Sequence, residues 1–210
     1  MTKGAAESKG RKRRIEIVAV DPDHEECMVQ AMAVYKTVLG ICNVSSNDSS
    51  DADKDNNKYV SLSVWRRKIQ DDNGLLLLAL DMENHNSNCN KTNTGHGAGH
   101  TNPKETNGLP VGFCFTHRRK HPECIQDCFH IWLAGVSESH RQCGIWSDML
   151  ERTTTIATER GFRYLSIATF PSRFSAMYTY LIQHGFTETD RDESTGKVRL
   201  IKSIDAEEQT

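Results

Sequence analysis

Residues 130–147 read HIWLAGVSESHRQCGIWS, and this stretch decides the fold of the 210-residue chain more than any other. Its apolar residues alternate up to Val136, which predicts a strand, and an amphipathic helix follows Gly144. The first backbone N–H groups of a helix have no internal partner, and the helix dipole places partial positive charge beside them. A strand that leads through a glycine-bearing turn into a helix therefore predicts a site for phosphate groups, such as a pyrophosphate.

Both the side chains and the main chain of this turn suit a phosphate ligand. Arg141 carries a planar guanidinium whose fork of N–H donors matches the oxygens of a phosphate. Further candidate donors are the backbone N–H groups of the residues that follow: Gln142, Cys143, Gly144, Ile145, Trp146 and Ser147.

The chain as a whole shows the order β-α-α-β-β-β-α-β-α-β. Alternating or continuous apolar runs predict six strands, over residues 15–20, 75–80, 111–116, 129–136, 164–170 and 198–204. Helical spacing predicts four helices, over residues 22–39, 59–69, 147–160 and 172–184. Asp21 is the expected cap of the first helix and Gly40 its end. Residues 59–69 also fit a strand pattern, but we expect them to form the helix.

Strict alternation along residues 129–136 predicts which side chains of that strand share a face. One face would carry His130, Trp132, Ala134 and Val136. The opposite face would carry Phe129, Ile131 and Leu133.

The pattern Arg141-x-x-Gly144 after a strand that ends at Val136 resembles the acyl-CoA loop of the GNAT acetyltransferase superfamily, which is written R/Q-x-x-G-x-G/A. The last motif position is Trp146, where the family usually has Gly or Ala. This indole either crowds the pyrophosphate or points away into the core. The elements downstream are similar as well, since a helix, a strand and a second helix ending in Gly-Phe follow. The resemblance is good over residues 110–187 and weaker over residues 14–110.

The resemblance implies a fold class and a chemistry. The fold would be α/β (α+β), with a mixed, mostly antiparallel sheet of six or seven strands, helices on both faces, and central fourth and fifth strands that splay apart. The implied enzyme is an N-acetyltransferase that moves an acetyl group from acetyl-CoA, its co-substrate, to a primary amine of a protein or small molecule. The transfer would be direct attack in a ternary complex. The alternative is a non-catalytic GNAT-like binding module.

The resemblance also assigns residues to the cofactor. The backbone of Ala134 and Val136 would pair with the pantetheine arm like an added strand, and the loop that begins at Arg141 would hold the pyrophosphate. Cys143 is not needed as a nucleophile, because the family transfers the acetyl group directly.

The best candidate for the general base is His130. It occupies the position where the histone-modifying branch of the family carries a glutamate. A neutral imidazole, with a pKa near 6.5 in model peptides, accepts a proton directly or through water from an amine. Asp127 is a second candidate base. A strand histidine that only bonds a neighbour is the plain structural alternative.

The best candidate for the general acid is Tyr180. It lies five positions before Gly185, as in the histone-modifying branch, and would protonate the leaving thiolate. Many other family members have tyrosine one position later, where this chain has Leu181. Tyr178 lies on the apolar stripe of the helix, so we expect it to pack in the core.

A cluster of metal-ligating residue types provides a rival interpretation. Five such residues lie close together in the sequence: His117, His121, Cys124, Cys128 and His130. A zinc ion held there would make the segment a metal-stapled interaction module and would remove His130 from catalysis. We expect no metal, because the cluster contains no C-x-x-C pair.

Composition limits the remaining possibilities. The formal net charge of −2 gives no strong indication of nucleic acid, and no apolar run is long enough to cross a membrane. Seven cysteines without a disulfide pattern favour an intracellular protein, cytoplasmic or nuclear. We expect a basic flexible tail over residues 1–13, one N-acetyltransferase-like domain over 14–204 with a low-complexity insertion at 84–108, and a tail over 205–210. The sequence leaves the acceptor amine and the oligomeric state open.

Overall fold

The computed structural model describes residues 13–38, 61–71, 73–83, 108–120 and 127–204. The described strands are β1 (Ile15–Ala19), β2 (Leu75–Asp81), β3 (Leu109–Lys120), β4 (Asp127–Val136), β5 (Tyr164–Thr169), β6 (Thr187–Asp192) and β7 (Lys197–Ser203). The described α-helices are α1 (Glu25–Val38), α2 (Leu62–Asp71), α3 (Ile145–Glu159) and α4 (Ser175–Gln183). A short 3₁₀ helix, Glu138–His140, lies between β4 and α3.

The seven described strands form one sheet in the order β1-β2-β3-β4-β5-β7-β6. Every neighbouring pair is antiparallel except β4 and β5, which run parallel. The predicted fold class, a mixed and mostly antiparallel sheet, is therefore confirmed. None of the helices within the described ranges is long and apolar enough to cross a membrane.

Helices cover both faces of the sheet, and each face has its own apolar core. The α1–α2 face buries large aromatic side chains from both layers, namely Tyr35, Trp65, Phe113 and Phe115. Burial of Trp65 explains why residues that fit either pattern form the helix α2. The α3–α4 face buries aliphatic residues of both layers, including Leu77, Ile131, Met149, Leu165 and Leu181.

Some predicted boundaries were wrong. The α1 helix begins at Glu25 rather than at Pro22, because the Asp21 carboxylate accepts the Asp23 N–H at 2.9 Å and forms a turn ahead of the helix. The α4 helix begins at Ser175, after a turn in which two N–H groups bond the Phe170 carbonyl. The expected end of α1 at Gly40, the insertion and most of the terminal tails lie outside the described residues.

The structure also adds a strand that the sequence analysis missed. Residues Thr187–Asp192 form β6, which pairs with β7 at the edge of the sheet. Its sequence, TETDRD, has no apolar residue and therefore no apolar alternation, as expected of an exposed edge strand.

A β-bulge at Trp132 changes which residues of β4 share a face. Phe115 of β3 pairs with Leu133 and the next β3 residue pairs with Ile131, so Trp132 is an extra residue. Trp132 and Leu133 both pack on the α1–α2 face. Ile131, Ala134 and Val136 consequently lie on the α3–α4 face. The prediction that His130 shares a face with Ala134 and Val136 was wrong, because the bulge interrupts the alternation of side chains between the two faces.

Candidate active site

The two central strands separate just beyond Ile131. The parallel pairing of β4 with β5 comprises Phe129 with Leu165, His130 with Ser166 and Ile131 with Ile167. Beyond these pairs β4 continues to Val136, while β5 turns to pair with β7 alone. The splayed central strands expected from the sequence are present, and they leave one edge of β4 open.

The main chain of Ala134 and Val136 faces this opening. The Ser137 N–H donates to the Val111 carbonyl of β3 at 2.8 Å. The main-chain groups of a strand point alternately to its two edges, so those of Val136 and Ala134 point away from β3. Both side chains are half-buried against the α3–α4 core, so the main chain is the part of these residues that a ligand in the opening can bind.

The turn before α3 presents a row of free main-chain donors. The Arg141 N–H bonds the Glu138 carbonyl at 3.3 Å, and the first N–H to bond within the helix is that of Asp148, to Gly144 at 3.0 Å. The N–H groups of residues 142–147 between them have no acceptor among the described residues, and no side chain caps the helix. Such a row, at the positive end of a helix dipole, is suited to anionic oxygens.

Two residues of the turn have left-handed backbone conformations. Gln142 has a φ of 62° and Gly144 a φ of 80°. A Cβ at Gly144 would contact nothing within 4 Å, so the space beside this residue is open to a ligand. Left-handed residues in a turn direct successive N–H groups into one concavity, the geometry of an anion-binding nest.

The side chains of the turn divide into exposed and packed groups. Four residues with polar groups or thiols are exposed along with the glycine: Arg141, Gln142, Cys143 and Ser147. The Arg141 Nε donates to the Val136 carbonyl at 3.4 Å, at the mouth of the opening. Ile145 is buried in the α3–α4 core, and Trp146 packs against that core with its indole N–H buried and without a partner among the described residues.

The His130 side chain is buried, at 6% exposure, on the α1–α2 face. Its Nδ1 lies 2.9 Å from the Ser166 Oγ of β5, and its Nε2 lies 3.3 Å from an Arg119 guanidinium nitrogen. A guanidinium only donates, so this contact uses a lone pair on Nε2. Nδ1 then carries the hydrogen that is donated to Ser166. The His117 ring also packs edge-on against it, at 5.7 Å between centroids.

The second candidate base, Asp127, is already engaged. Its carboxylate forms an ion pair with Arg118 on the neighbouring strand. The guanidinium would have to leave before this carboxylate could take a proton from a substrate. At His130 the Arg119 guanidinium, which contacts Nε2, would have to move in the same way.

The two tyrosines of α4 have different surroundings. The Tyr178 hydroxyl donates to Glu188 at 2.9 Å, and this hydrogen bond raises the pKa of Tyr178. Glu188 in turn accepts two hydrogen bonds from Arg191, which lower the pKa of Glu188. The Tyr180 hydroxyl is buried and has no partner among the described residues, and its ring stacks on His184 at 3.7 Å between centroids.

The candidate catalytic residues lie on opposite faces of the sheet. Tyr180 packs against the α3–α4 core, together with Ala134 and Val136. His130 lies on the other face, where its partner Ser166 also projects.

The two described histidines of the rival zinc cluster, His117 and His130, make other contacts. His117 Nδ1 lies 2.8 Å from the Arg118 carbonyl, and both nitrogens of His130 have partners. Within the described ranges no three His, Cys, Asp or Glu residues are grouped to hold a metal ion. His121 and Cys124 lie outside those ranges.

Sequence reasoning missed several residues of the site. Ser166 and Arg119, which contact His130, and the buried pair of Asp81 and His140 beside the turn are polar residues without a motif. Each contact joins residues from different elements, so no local spacing in the sequence signals it.

Comparison with known proteins identifies the family and supports the fold. The model of the acetyltransferase (GNAT) family matches residues 70–186. No curated relative matches the chain by sequence. Among solved structures, the PaiA N-acetyltransferase of Thermoplasma acidophilum in complex with coenzyme A is similar at a TM-score of 0.60 and 12% identity, covering 90% of this chain and 99% of that one.

Two further solved structures share the fold. The NatC complex bound to Gag peptide and CoA has a TM-score of 0.53 and 16% identity, covering 90% of this chain and 98% of that chain. The aminoglycoside acetyltransferase meta-AAC0020 from an uncultured soil metagenomic sample, in complex with trehalose, has a TM-score of 0.55 and 12% identity, covering 85% and 93%. Because the family model spans more than half of the chain and the fold agrees with it, the chain belongs to the GNAT family of acetyltransferases and is an acyltransferase.

Proposed function

We propose that this enzyme transfers the acetyl group of acetyl-CoA to a primary amine by direct attack in a ternary complex. The observation that carries the proposal is the row of free N–H groups over residues 142–147, next to the open edge of β4. One site thus offers donors for a pyrophosphate and, a few residues away, a strand edge for an extended amide-bearing arm.

The residues present fit coenzyme A. The N–H groups of the turn and the Arg141 guanidinium would hold the pyrophosphate, and the main chain of Ala134 and Val136 would hold the pantetheine amides. Trp146 packs against the core, which is compatible with a ligand at the turn. When bound, acetyl-CoA supplies an acetyl group activated as a thioester.

His130 would take the proton that the amine loses. An alkyl ammonium has a pKa near 10, so the nucleophile needs a base at neutral pH. The Nε2 lone pair of His130 is the accepting atom, and the Ser166 hydroxyl holds the ring in the matching tautomer. The Arg119 side chain, which contacts Nε2, is exposed and would have to move aside as an acceptor arrives.

Tyr180 would return a proton to the departing sulfur. Its buried hydroxyl has no acceptor among the described residues, so its hydrogen is not committed elsewhere. The Tyr178 hydroxyl already donates to Glu188 and is a poorer donor, because that bond raises its pKa. The opposite placement of His130 and Tyr180 supports a reaction inside the opening, with the amine arriving from one face and the thiol leaving on the other.

The solved relatives support an amine acceptor but not one class of amine. These relatives are an N-acetyltransferase, an aminoglycoside acetyltransferase and a complex that holds a peptide. We infer that the acceptor is a protein or small-molecule amine. The site of action would be intracellular, as expected for a sequence whose seven cysteines show no disulfide pattern.

The proposal is tested in two steps with the full chain. Saturating acetyl-CoA should raise the melting midpoint through linkage, because the ligand binds only the folded protein. A panel of amines, comprising a peptide with a free N-terminus, a lysine peptide, a polyamine and an aminosugar, should then release free CoA thiol with at least one member. Absence of both a shift and CoA release would contradict the proposal, and a shift without release would favour a non-catalytic binding module.

A further inference from the structure

A buried pair of ionisable residues lies beside the candidate cofactor turn. Asp81 is the last residue of β2 and is 0% exposed, and His140 ends the 3₁₀ helix and is 5% exposed. The His140 Nε2 lies 3.0 Å from the Asp81 Oδ2, across 59 residues of sequence. The connection between β4 and α3 is therefore tied directly to the end of β2.

The remaining polar atoms of the pair are bonded as well. The other Asp81 oxygen accepts the Glu83 N–H at 3.0 Å. The His140 Nδ1 lies 3.1 Å from the Ser137 Oγ and 2.9 Å from the Ser139 Oγ. An ionised carboxylate only accepts, so Nε2 carries a hydrogen, and two hydroxyls are in place to serve Nδ1. Such a saturated network fixes the ring in one orientation.

His140 is the only buried side chain between β4 and α3. Among residues 136–144 every other side chain is half-buried or exposed, so no apolar packing holds this connection. The backbone from Ser137 to Arg141 is held by few bonds, and Arg13 contributes one more through its guanidinium to the Ser139 carbonyl at 3.0 Å. Between its two ends, the connection therefore has one buried side-chain anchor, His140.

We propose that His140, held by Asp81, is a positioning residue for coenzyme A binding. This inference rests on the proposed function, because it assigns the adjacent N–H row to the pyrophosphate. The hydrogen bonds of His140 fix the 3₁₀ helix, and this fixes where Arg141 and the donors after it point. Displacement of a binding group by about 1 Å is enough to lose a large part of its contribution.

The test measures acetyl-CoA affinity by calorimetry in variants that circular dichroism shows to be folded. His140→Leu should raise the acetyl-CoA Kd by about tenfold or more. Asp81→Leu combined with His140→Leu removes both polar partners and leaves no unpaired buried carboxylate, so this double variant should regain stability. Its Kd should stay raised, because apolar packing lacks the directional bonds. His140→Gln, which keeps a donor toward Asp81, should restore the Kd to within about threefold of the parent.

A buried variant away from the turn provides the matched control. Thr153→Val removes the Thr153 hydroxyl, which lies 3.7 Å from the Cys114 thiol under α3. This variant should lose stability but keep the parent Kd. A His140→Leu protein that is folded and binds acetyl-CoA like the parent would overturn the inference, as would a double variant with parental affinity. A parent protein that does not bind acetyl-CoA would instead defeat the proposed function and this inference with it.

Discussion

The Nδ1 atom of His130 lies 2.9 Å from the Ser166 hydroxyl oxygen, across the parallel pairing of β4 and β5 immediately before those strands separate. The contact joins a candidate base to a residue that can orient it. It also places the base at the inner end of the opening. Ser166 is buried, so the bond is shielded from water and has one geometry.

Variants at these two residues should have graded effects. His130→Ala should lower kcat by about a hundredfold or more, because the acceptor amine loses its base, while the acetyl-CoA Kd stays near the parent value. Ser166→Ala should lower kcat by about tenfold through loss of ring orientation. Steady-state rates with the best amine of the panel, together with calorimetry, measure both quantities. Unchanged turnover in His130→Ala would remove this residue from the mechanism.

The two tyrosines of α4 provide a matched pair for the acid. Tyr180→Phe should lower kcat by about tenfold or more, because the hydroxyl that donates to the sulfur is lost. Tyr178→Phe should leave kcat unchanged but lower the melting midpoint by about 2–4 °C, since it removes only the bond to Glu188. The reverse pattern, with turnover lost in Tyr178→Phe, would exchange their assignments.

The close approach of α1 to β4 should be sensitive to a single methyl group. A Cβ added at Gly135 would overlap the Cγ1 of Val38, at the end of α1. Gly135→Ala should therefore destabilise the protein by about 1–3 kcal/mol. Combining Gly135→Ala with Val38→Ala removes the overlapping carbon and should recover part of the lost stability. Denaturant unfolding of the three variants tests this, and full additivity of the two single losses would contradict the contact.

The sequence predicted the parts of the fold that depend on local pattern. The apolar runs predicted β2 and β3, and the spacing in residues 145–157 predicted α3. The glycine-bearing turn before α3 was expected because residues 141–144 lie between a strand pattern and a helix pattern. These elements are encoded by neighbouring residues, so periodicity is sufficient to find them.

The features that the sequence did not predict depend on contacts between distant residues. The bulge at Trp132 arises from pairing with β3 and moves Ala134 and Val136 to the α3–α4 face. β6 forms through its pairing with β7, since its own residues show no alternation of apolar and polar side chains. The bond between His140 and Asp81 joins residues 59 positions apart. The single-domain boundaries and the site roles stay predictions.

In the proposed function, the N–H row after Arg141 binds the pyrophosphate of coenzyme A. Gly144 lies just before α3, and Gly161 lies just after it. Both have positive φ, and a Cβ at either position would contact nothing within 4 Å. Replacing either with valine should therefore cause a similar backbone strain, of about 1–2 kcal/mol. Of the two introduced valine side chains, only the one at position 144 would occupy the space beside the N–H row.

Calorimetric titration of Gly144→Val and Gly161→Val with acetyl-CoA tests this claim most directly. We expect Gly161→Val to bind like the parent protein and Gly144→Val to lose affinity by about a hundredfold or more, because the main chain can no longer approach the phosphates. Parental affinity in a folded Gly144→Val protein would contradict the account.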